Sequence, residues 1–456
     1  MSAAFAGPDA WDTARAVEVR TNATDTLLGV ASDPRPDALR IEPGPLHERL
    51  PDLEPDRWEF RVEGGGAFDF GGPGPALSVV PRADAYAWRG AFAAHLAPRV
   101  GAEMGPLASV VDVVGSVGIR TPGFYARVGR EPLQQGPARY GGLLVSPSAP
   151  TLPGFAVGGD GRIPGKADVL GRFGLSLAGG WLPGVRRDVQ HPLWLVLDAR
   201  WAPVPWVEAG LARNAVFGGS DGGVPRPINW GQVILPTNPH AEDDPDQSGA
   251  DTDERAAWDV RITPPLGKWG VPFFDYAELF IQHGGEDVIA RRLGPIPWPS
   301  LGGSANVYGA EIAAKSWYVG GEWAVIEDDL YRWYVGHRVY HDGWTLNGQS
   351  LGHPSGGDQR TTIVRLGRAT LEQPAFEARW LHVHRVLVAD RVDDTVFVFP
   401  TAEVRDEFGV HGAFWLDGGG AVEVDAAAGP VTGRDFVAGA DAIAWRLGAS
   451  VRVRVK

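Results

Sequence analysis

Residues 445–456, WRLGASVRVRVK, alternate strictly between apolar and polar side chains to the end of the chain. One row consists of Trp445, Leu447, Ala449, Val451, Val453 and Val455. The other row consists of Arg446, Gly448, Ser450, Arg452, Arg454 and Lys456. Successive side chains of a β-strand point to opposite faces. The stretch therefore predicts a strand with one apolar face and one cationic face.

The same alternation recurs along the chain, for example in RWEFRVE (57–63), LWLVLDARW (193–201) and SWYVGGEWAV (316–325). Many of these segments run about 9–12 residues with an aromatic near one end, which matches a tilted transmembrane strand and its interfacial girdle. A bilayer admits only helices or closed barrels. The pattern therefore favours an all-β, closed antiparallel transmembrane β-barrel. A soluble antiparallel sandwich or propeller also alternates and stays open as an alternative, although no fixed-period repeat supports a propeller.

Composition narrows the class of protein further. The 456 residues include 62 Gly and 38 Pro, which indicates many turns and few long helices. Cysteine is absent, which excludes disulfides and Cys metal sites. A net charge of −14 argues against nucleic acid as a partner. Residues 1–19 have neither a basic n-region nor an apolar h-region, so we expect no leader in this sequence.

The chain divides at about residue 56. Residues 1–56 are rich in proline and charge, and we predict irregular structure or short helices there. Alternation begins at Arg57 and continues to the last residue, so we predict that 57–456 form the barrel.

Three stretches occur in an order that resembles one known family. They are GREPLQQGPARYGGLLVSPSAPTLPGFAVG (Gly129–Gly158), the segment from the acidic DDPDQSGADTDE to the strand DYAELFIQHGGED (Asp243–Asp287), and YVGHRVYHDGWTLNGQSLGHPSGGDQRTTIVRLG (Tyr334–Gly367). Together they resemble the capsule-assembly (Wzi-type) outer-membrane family. The resemblance implies an outer-membrane barrel of about 18 strands with residues 1–56 as a small periplasmic portion. It also implies a non-enzymatic role in holding capsular polysaccharide at the cell surface.

In a membrane the orientation of the final strand follows from energetics. Three cations facing hydrocarbon would cost roughly 2–4 kcal/mol each near the midplane. We therefore expect Val451, Val453 and Val455 to face lipid.

The third stretch is dense in side chains that suit sugars. Carboxylates, amides and imidazoles hydrogen-bond to hydroxyls, and aromatic faces pack on C–H patches. The candidate polysaccharide-binding residues are His337, Tyr340, His341, Asp342, Trp344, Asn347, Gln349, His353, Asp358 and Gln359. An alternative interpretation is that the same residues form a hydrogen-bond network inside the barrel that plugs and stiffens it.

Other polar groups suggest no catalytic, metal or cofactor site. His382 and His384 lie on one strand face as a metal pair could, but no third ligand is evident, so we expect histidines facing the lumen. The acidic run 243–254 partly resembles a calcium loop, yet Arg255 stands at its twelfth position. We expect a solvated loop, with weak calcium bridging to an acidic polysaccharide left open. The carboxylates Glu278, Asp287 and Glu322 show no pairing typical of a glycosidase.

The sequence thus predicts a non-enzymatic outer-membrane barrel that binds or organises capsular or other surface polysaccharide. We expect outer-membrane lipid and that polysaccharide as its partners, no nucleic acid, and a monomer. Two alternatives remain open, namely a secreted or periplasmic all-β carbohydrate-active protein and a passive outer-membrane porin.

Overall fold

The structure is a computed structural model of the chain. It describes residues 58–455 except 70–75, 90–91, 105–108, 122–123, 132, 147–148, 150, 163–169, 184–185, 187, 229, 235–251, 272, 275, 294–295, 316, 327–332, 335–338, 347–348, 369–374, 387, 393–394, 399–401, 417–419, 434–438 and 440. The predicted N-terminal portion, residues 1–56, therefore lies outside the described residues.

The described chain is almost entirely β-strand, as the alternation predicts. The strands are β1 (Trp58–Asp69), β2 (Ala76–Arg89), β3 (Phe92–Met104), β4 (Ser109–Thr121), β5 (Phe124–Glu131), β6 (Leu152–Arg162), β7 (Arg172–Trp181), β8 (Leu193–Val204), β9 (Val207–Phe217), β10 (Ser220–Asp221), β11 (Val224–Pro225), β12 (Thr252–Ile262), β13 (Tyr276–Leu293), β14 (Ile296–Ala314), β15 (Trp317–Ile326), β16 (Thr345–Leu346), β17 (Gln349–Ser350), β18 (Gln359–Arg368), β19 (Ala375–Arg385), β20 (Val388–Val392), β21 (Thr395–Val398), β22 (Glu403–Leu416), β23 (Gly420–Thr432) and β24 (Ala442–Val455). A short helix, α1 (Trp230–Ile234), and one 3₁₀ turn (Leu266–Trp269) lie between strands. Within the described residues, no helix is both long and apolar enough to cross a membrane.

Eighteen strands form one antiparallel sheet that closes on itself. Each of them pairs with the next along the chain, and β1 pairs with β24 from Phe60↔Val455 to Asp69↔Arg446. The six remaining strands form three small hairpins, β10–β11, β16–β17 and β20–β21. The predicted closed barrel of about 18 strands is confirmed. The sandwich and propeller alternatives are wrong, because both consist of several separate sheets with free edges, whereas these strands form one sheet whose first and last strands pair.

The two faces of the sheet are the reverse of those of a soluble protein. On β8, Trp194, Asp198 and Arg200 are buried inside, whereas Leu195 and Trp201 lie on the outer face. Large apolar side chains are exposed on the outer face of many strands, including Val117, Val128, Leu175, Leu211, Leu279, Trp323, Leu366, Phe408 and Val410. Because a contiguous apolar exterior is unfavourable in water, this outer face is the lipid-facing wall of a transmembrane barrel.

The final strand β24 follows this rule where its side chains are described. Ile443, Trp445 and Leu447 are exposed, and they belong to the same alternating row as Val451. The side chains from Gly448 onward lie outside the described ones, so the lipid contact of the last three valines stays a prediction.

The inner wall carries charge, and that charge is paired across strands. Arg200 lies 2.7 Å from Asp259, Arg261 lies 2.6 Å from Glu278, and these four side chains are buried. A buried charge without a partner is strongly destabilising. The pairs therefore stabilise the register between β8, β12 and β13 from inside the barrel.

Five of the six connections longer than ten residues between strands of the barrel lie at one end. They span 132–151, 182–192, 218–251, 327–358 and 386–402, whereas the connections at the opposite end include two-residue turns such as 205–206. Outer-membrane barrels place long loops outside the cell and short turns in the periplasm. We therefore call the first end the outer end.

Parts of three long connections fold back into the barrel. They are the described residues of 133–149, 182–192 and 333–358, which we call the plug. Leu143, Leu144 and Trp344 of the plug join one buried apolar cluster with the inward-facing Trp194 and Val307 of the wall. The interior of the barrel therefore contains a packed apolar core.

Candidate functional site

The three family-like stretches meet inside the barrel, although they are far apart in sequence. The Tyr334 hydroxyl donates a hydrogen bond of 2.6 Å to the carbonyl of Leu143, and the indole of Trp344 donates to the carbonyl of Leu144. The Leu143 amide in turn donates to the side chain of Gln282 on β13 at 3.0 Å. The stretches that carry the resemblance thus build one structural unit, in which the plug is attached to the wall.

A second attachment uses Glu322 on β15. Its carboxylate accepts hydrogen bonds from the backbone amides of Arg139 at 2.9 Å and of Tyr140 at 3.1 Å. Arg139 also forms an ion pair with Glu311 on β14. Glu322 therefore anchors the plug. Glu278 is also engaged, since it accepts a hydrogen bond from Arg261, so two of the three candidate glycosidase carboxylates have structural partners. The side chain of Asp287 lies outside the described ones.

Four of the predicted site residues are buried in the plug or the adjoining wall. Tyr340, Trp344, His353 and Gln359 each have at most 1% of their surface exposed. The Tyr340 hydroxyl donates to the carbonyl of Gly218 at 3.0 Å, and the Gln359 amide lies 3.1 Å from Nδ1 of His353. These side chains form part of an internal hydrogen-bond network and do not reach the outer surface.

His353 is neutral in this environment. Burial lowers the pKa of its imidazole to about 3, because the charged form would lose its hydration. The same cause raises the pKa of the neighbouring Tyr334 hydroxyl, which donates to Leu143 and accepts from the amide of His353 at 2.8 Å. The part of the plug around Tyr334 and His353 therefore holds neutral polar groups.

Three other predicted residues lie nearer the outer surface. His341 is exposed, and Asp342 and Asp358 are partly buried. Asp358 adopts a left-handed backbone (φ 52°), a conformation that Asp tolerates better than most residues, and its carbonyl accepts from the amide of Val386 at 2.9 Å. His337 and Asn347 lie outside the described residues, and Gln349 is described only by its backbone pairing with Leu346 in β16–β17.

Arg186 holds the turn that carries His341 and Asp342. Its guanidinium donates to the carbonyls of Gly343 at 3.1 Å and Thr345 at 3.0 Å, and it pairs with Asp188 at 2.9 Å. Asp188 then accepts from the amide of Asp342 at 2.8 Å. This clamp could not be predicted from the sequence, because nothing in residues 186–188 indicates a partner more than 150 positions away.

The prediction for His382 and His384 is wrong. On β19 the odd-numbered Leu381 and Val383 are buried and pack with Ile363 against Tyr140 of the plug. The histidines alternate with them and therefore lie on the outer wall. The prediction failed because alternation alone does not say which of two mixed rows faces inside.

Metal and calcium sites were also considered from the sequence. Among the residues that the structure describes, no three His, Asp or Glu side chains come together as metal ligands would. Most of the acidic run 243–254 lies outside that part of the chain. Its last members, Asp253 and Glu254, begin β12 and pair with Arg255 and Arg213, respectively.

The apolar outer wall, the paired charges within and the single closed sheet define the chain as a transmembrane β-barrel whose interior is plugged by its own loops. The profile of the family described as "Capsule assembly protein Wzi" matches residues 108–370, which is more than half of the sequence. The chain belongs to this family.

Several solved structures have the same fold. One is Wzi of Escherichia coli, described as an outer membrane protein involved in group 1 capsule assembly and as a carbohydrate-binding β-barrel; it has 15% identity and a TM-score of 0.63, with 86% of this chain and 84% of that chain covered. Two others, OpdQ and OccK2 (OpdF) of Pseudomonas aeruginosa, have 9% and 12% identity and TM-scores of 0.50, and cover 89% and 88% of this chain and 100% and 98% of their own. No curated protein sequence matches the chain.

Proposed function

We propose that this chain is a non-enzymatic outer-membrane protein that binds capsular or other surface polysaccharide at its outer end. The family and the carbohydrate-binding Wzi barrel of E. coli support this proposal. The observation that carries it is the plug. It occupies the interior where a diffusion channel would run, and it presents polar side chains at the outer surface.

Within the predicted set, we assign two roles according to burial. We propose that Tyr340, Trp344, His353 and Gln359 shape the plug from within, since they are buried. His341, Asp342 and Asp358 are the members of the described set that a glycan could contact, because they lie at or near the surface. An exposed imidazole and two carboxylates would offer donors and acceptors to sugar hydroxyls.

The test uses purified full-length protein in detergent and a purified capsular polysaccharide. Replacing His341 and Asp342 by Ala and Asn should weaken binding at least about tenfold, since a hydrogen bond to a charged group such as the Asp342 carboxylate contributes about 1.5–3 kcal/mol. Lys268→Ala serves as a control, because Lys268 is exposed at the opposite end of the barrel. If the His341/Asp342 variant, the Lys268→Ala control and the unaltered protein bind equally, the glycan binds elsewhere. If none of the three binds, the proposed function is refuted.

A further inference from the structure

The outer wall carries a polar patch on β18, β19 and β22, close to the outer end. It consists of Arg360, His382, His384 and Asp406, which we call the wall patch. In the strand register Arg360 lies opposite His384, and His382 lies opposite Asp406. Arg360 is exposed, and the other three are partly exposed. These residues share the outward row with the exposed Val364, Leu366 and Phe408, so they face the membrane and not the lumen.

The wall patch is organised by hydrogen bonds. Nδ1 of His382 lies 2.9 Å from a carboxylate oxygen of Asp406, and the indole of Trp380 donates to the same oxygen at 3.2 Å. The rings of Trp380 and His382 are 6.0 Å apart. Asp406 is therefore engaged from two sides. Arg360 is exposed on the neighbouring strand β18, where it lies opposite His384 in the register.

The depth of the wall patch follows from the strand geometry. On β22 the outward residues run from the exposed Phe414, near the short-turn end, through Val410 and Phe408 to Asp406. Eight residues of strand span about 27 Å, or about 20 Å along the barrel axis at a tilt of about 40°. The apolar band of such barrels is about 25 Å tall. The wall patch therefore lies at the outer border of the apolar band, at the depth of lipid headgroups.

We propose that the wall patch binds the phosphorylated headgroup of a glycolipid in the outer leaflet. Arg presents a planar fork of donors that suits phosphate oxygens, and the adjoining imidazoles add N–H groups. Trp380 lies opposite Phe408 on the outer face, next to the wall patch, and it offers an aromatic face to sugar C–H groups. This site lies on the outside of the wall and is separate from the proposed polysaccharide surface at the mouth of the barrel.

The experiment uses the full-length protein and native mass spectrometry, with lipid A and its dephosphorylated form as probes. The unaltered protein should retain lipid A more strongly than the dephosphorylated form. Arg360→Gln should weaken lipid A retention about fivefold, as expected for one cation near a charged membrane surface, and leave the dephosphorylated form unchanged. Arg368→Gln is the matched control, since Arg368 lies on the same strand and the same outward row at the opposite end.

Three results would overturn the proposal. One is equal retention of the two lipids by the unaltered protein. Another is an equal loss of lipid A in the two variants, which would indicate a general effect of charge. The third is a lipid-free dimer that Arg360→Gln dissociates, which would make the wall patch a contact between copies of this chain. Heat-modifiable gel mobility verifies folding of each variant, and His384→Gln provides a second variant on the same patch if Arg360→Gln does not fold.

Discussion

Removing the guanidinium of Arg186 should release the turn that presents His341 and Asp342. Arg186 and the Asp188 carboxylate are almost completely buried, and the guanidinium also satisfies the carbonyls of Gly343 and Thr345. Arg186→Met keeps much of the side-chain volume but leaves two carbonyls without their donor and the buried Asp188 carboxylate without its cation. Breaking a buried ion pair on one side costs about 3–5 kcal/mol.

That cost should fall on local opening of the turn and not on the barrel, because the barrel strands keep their own pairing. A change of 3–5 kcal/mol corresponds to an increase of about a hundredfold to a few thousandfold in the opening equilibrium. Amide hydrogen exchange of a peptide covering 339–346 measures this increase in opening. The largest increase that can be observed is set by how strongly these amides are protected in the unaltered protein.

A second variant separates the charge effect from lost packing. Arg186→Met combined with Asp188→Asn removes the orphaned charge and should restore part of the protection, since an uncharged amide costs less to bury than a carboxylate. Exchange at 339–346 that is unchanged in Arg186→Met would refute the clamp. Protection lost equally along the barrel strands would refute the separation of plug and wall.

Three further predictions concern the plug and the wall. The first concerns pH: because the pKa of His353 is lowered to about 3 in the folded protein, its contribution to plug stability is full above about pH 6.5 and declines as the pH falls toward 3. Hydrogen exchange at 351–359 should therefore show that the plug loses about 2 kcal/mol of stability between pH 7.5 and pH 5. The His353→Gln variant should not show this loss. The packed plug should leave the unaltered protein with little conductance in planar bilayers, whereas Tyr340→Ala with Trp344→Ala should produce frequent openings; a steady open channel in the unaltered protein would favour the porin alternative. Leu211→Arg should destabilise folding into lipid vesicles by up to about 2–4 kcal/mol more than Leu211→Ala, and equal stability would contradict lipid contact at this position.

Much of the wall could be predicted from the sequence, because alternation is a local property. The opposition of Leu195 and Leu197 to Asp198 and Arg200 on β8 is visible in the nine residues 193–201 and is confirmed by their burial. The ends of the strands were harder to predict from the sequence. Residues 86–99 alternate as if they were one segment, yet β2 ends at Arg89 and β3 begins at Phe92, since a tight turn between two strands need not interrupt the apolar pattern.

The site was predictable in composition but not in arrangement. The sequence identified the polar stretch around Tyr340 and Trp344, but it gave no indication of which members are buried, since burial depends on contacts with Gly218 and Leu144 far away in the chain. The same limit explains the error at His382, which is polar and yet faces outward. Local patterns identify the two faces of a strand, but only closure of the barrel assigns them to inside and outside.

The extent of the family match has a physical explanation in this division between plug and wall. A wall residue needs only to be apolar outside or polar inside, so many sequences satisfy the same strand. A plug residue must fit particular partners: the amide of Leu143 requires the acceptor of Gln282, and the amide of Tyr140 requires that of Glu322. These partners, together with Arg186 and Trp344, all lie within the matched residues 108–370, whereas β1–β3 and β19–β24 lie outside the match and mainly complete the wall. The matched range therefore contains the whole plug together with the wall residues that hold it.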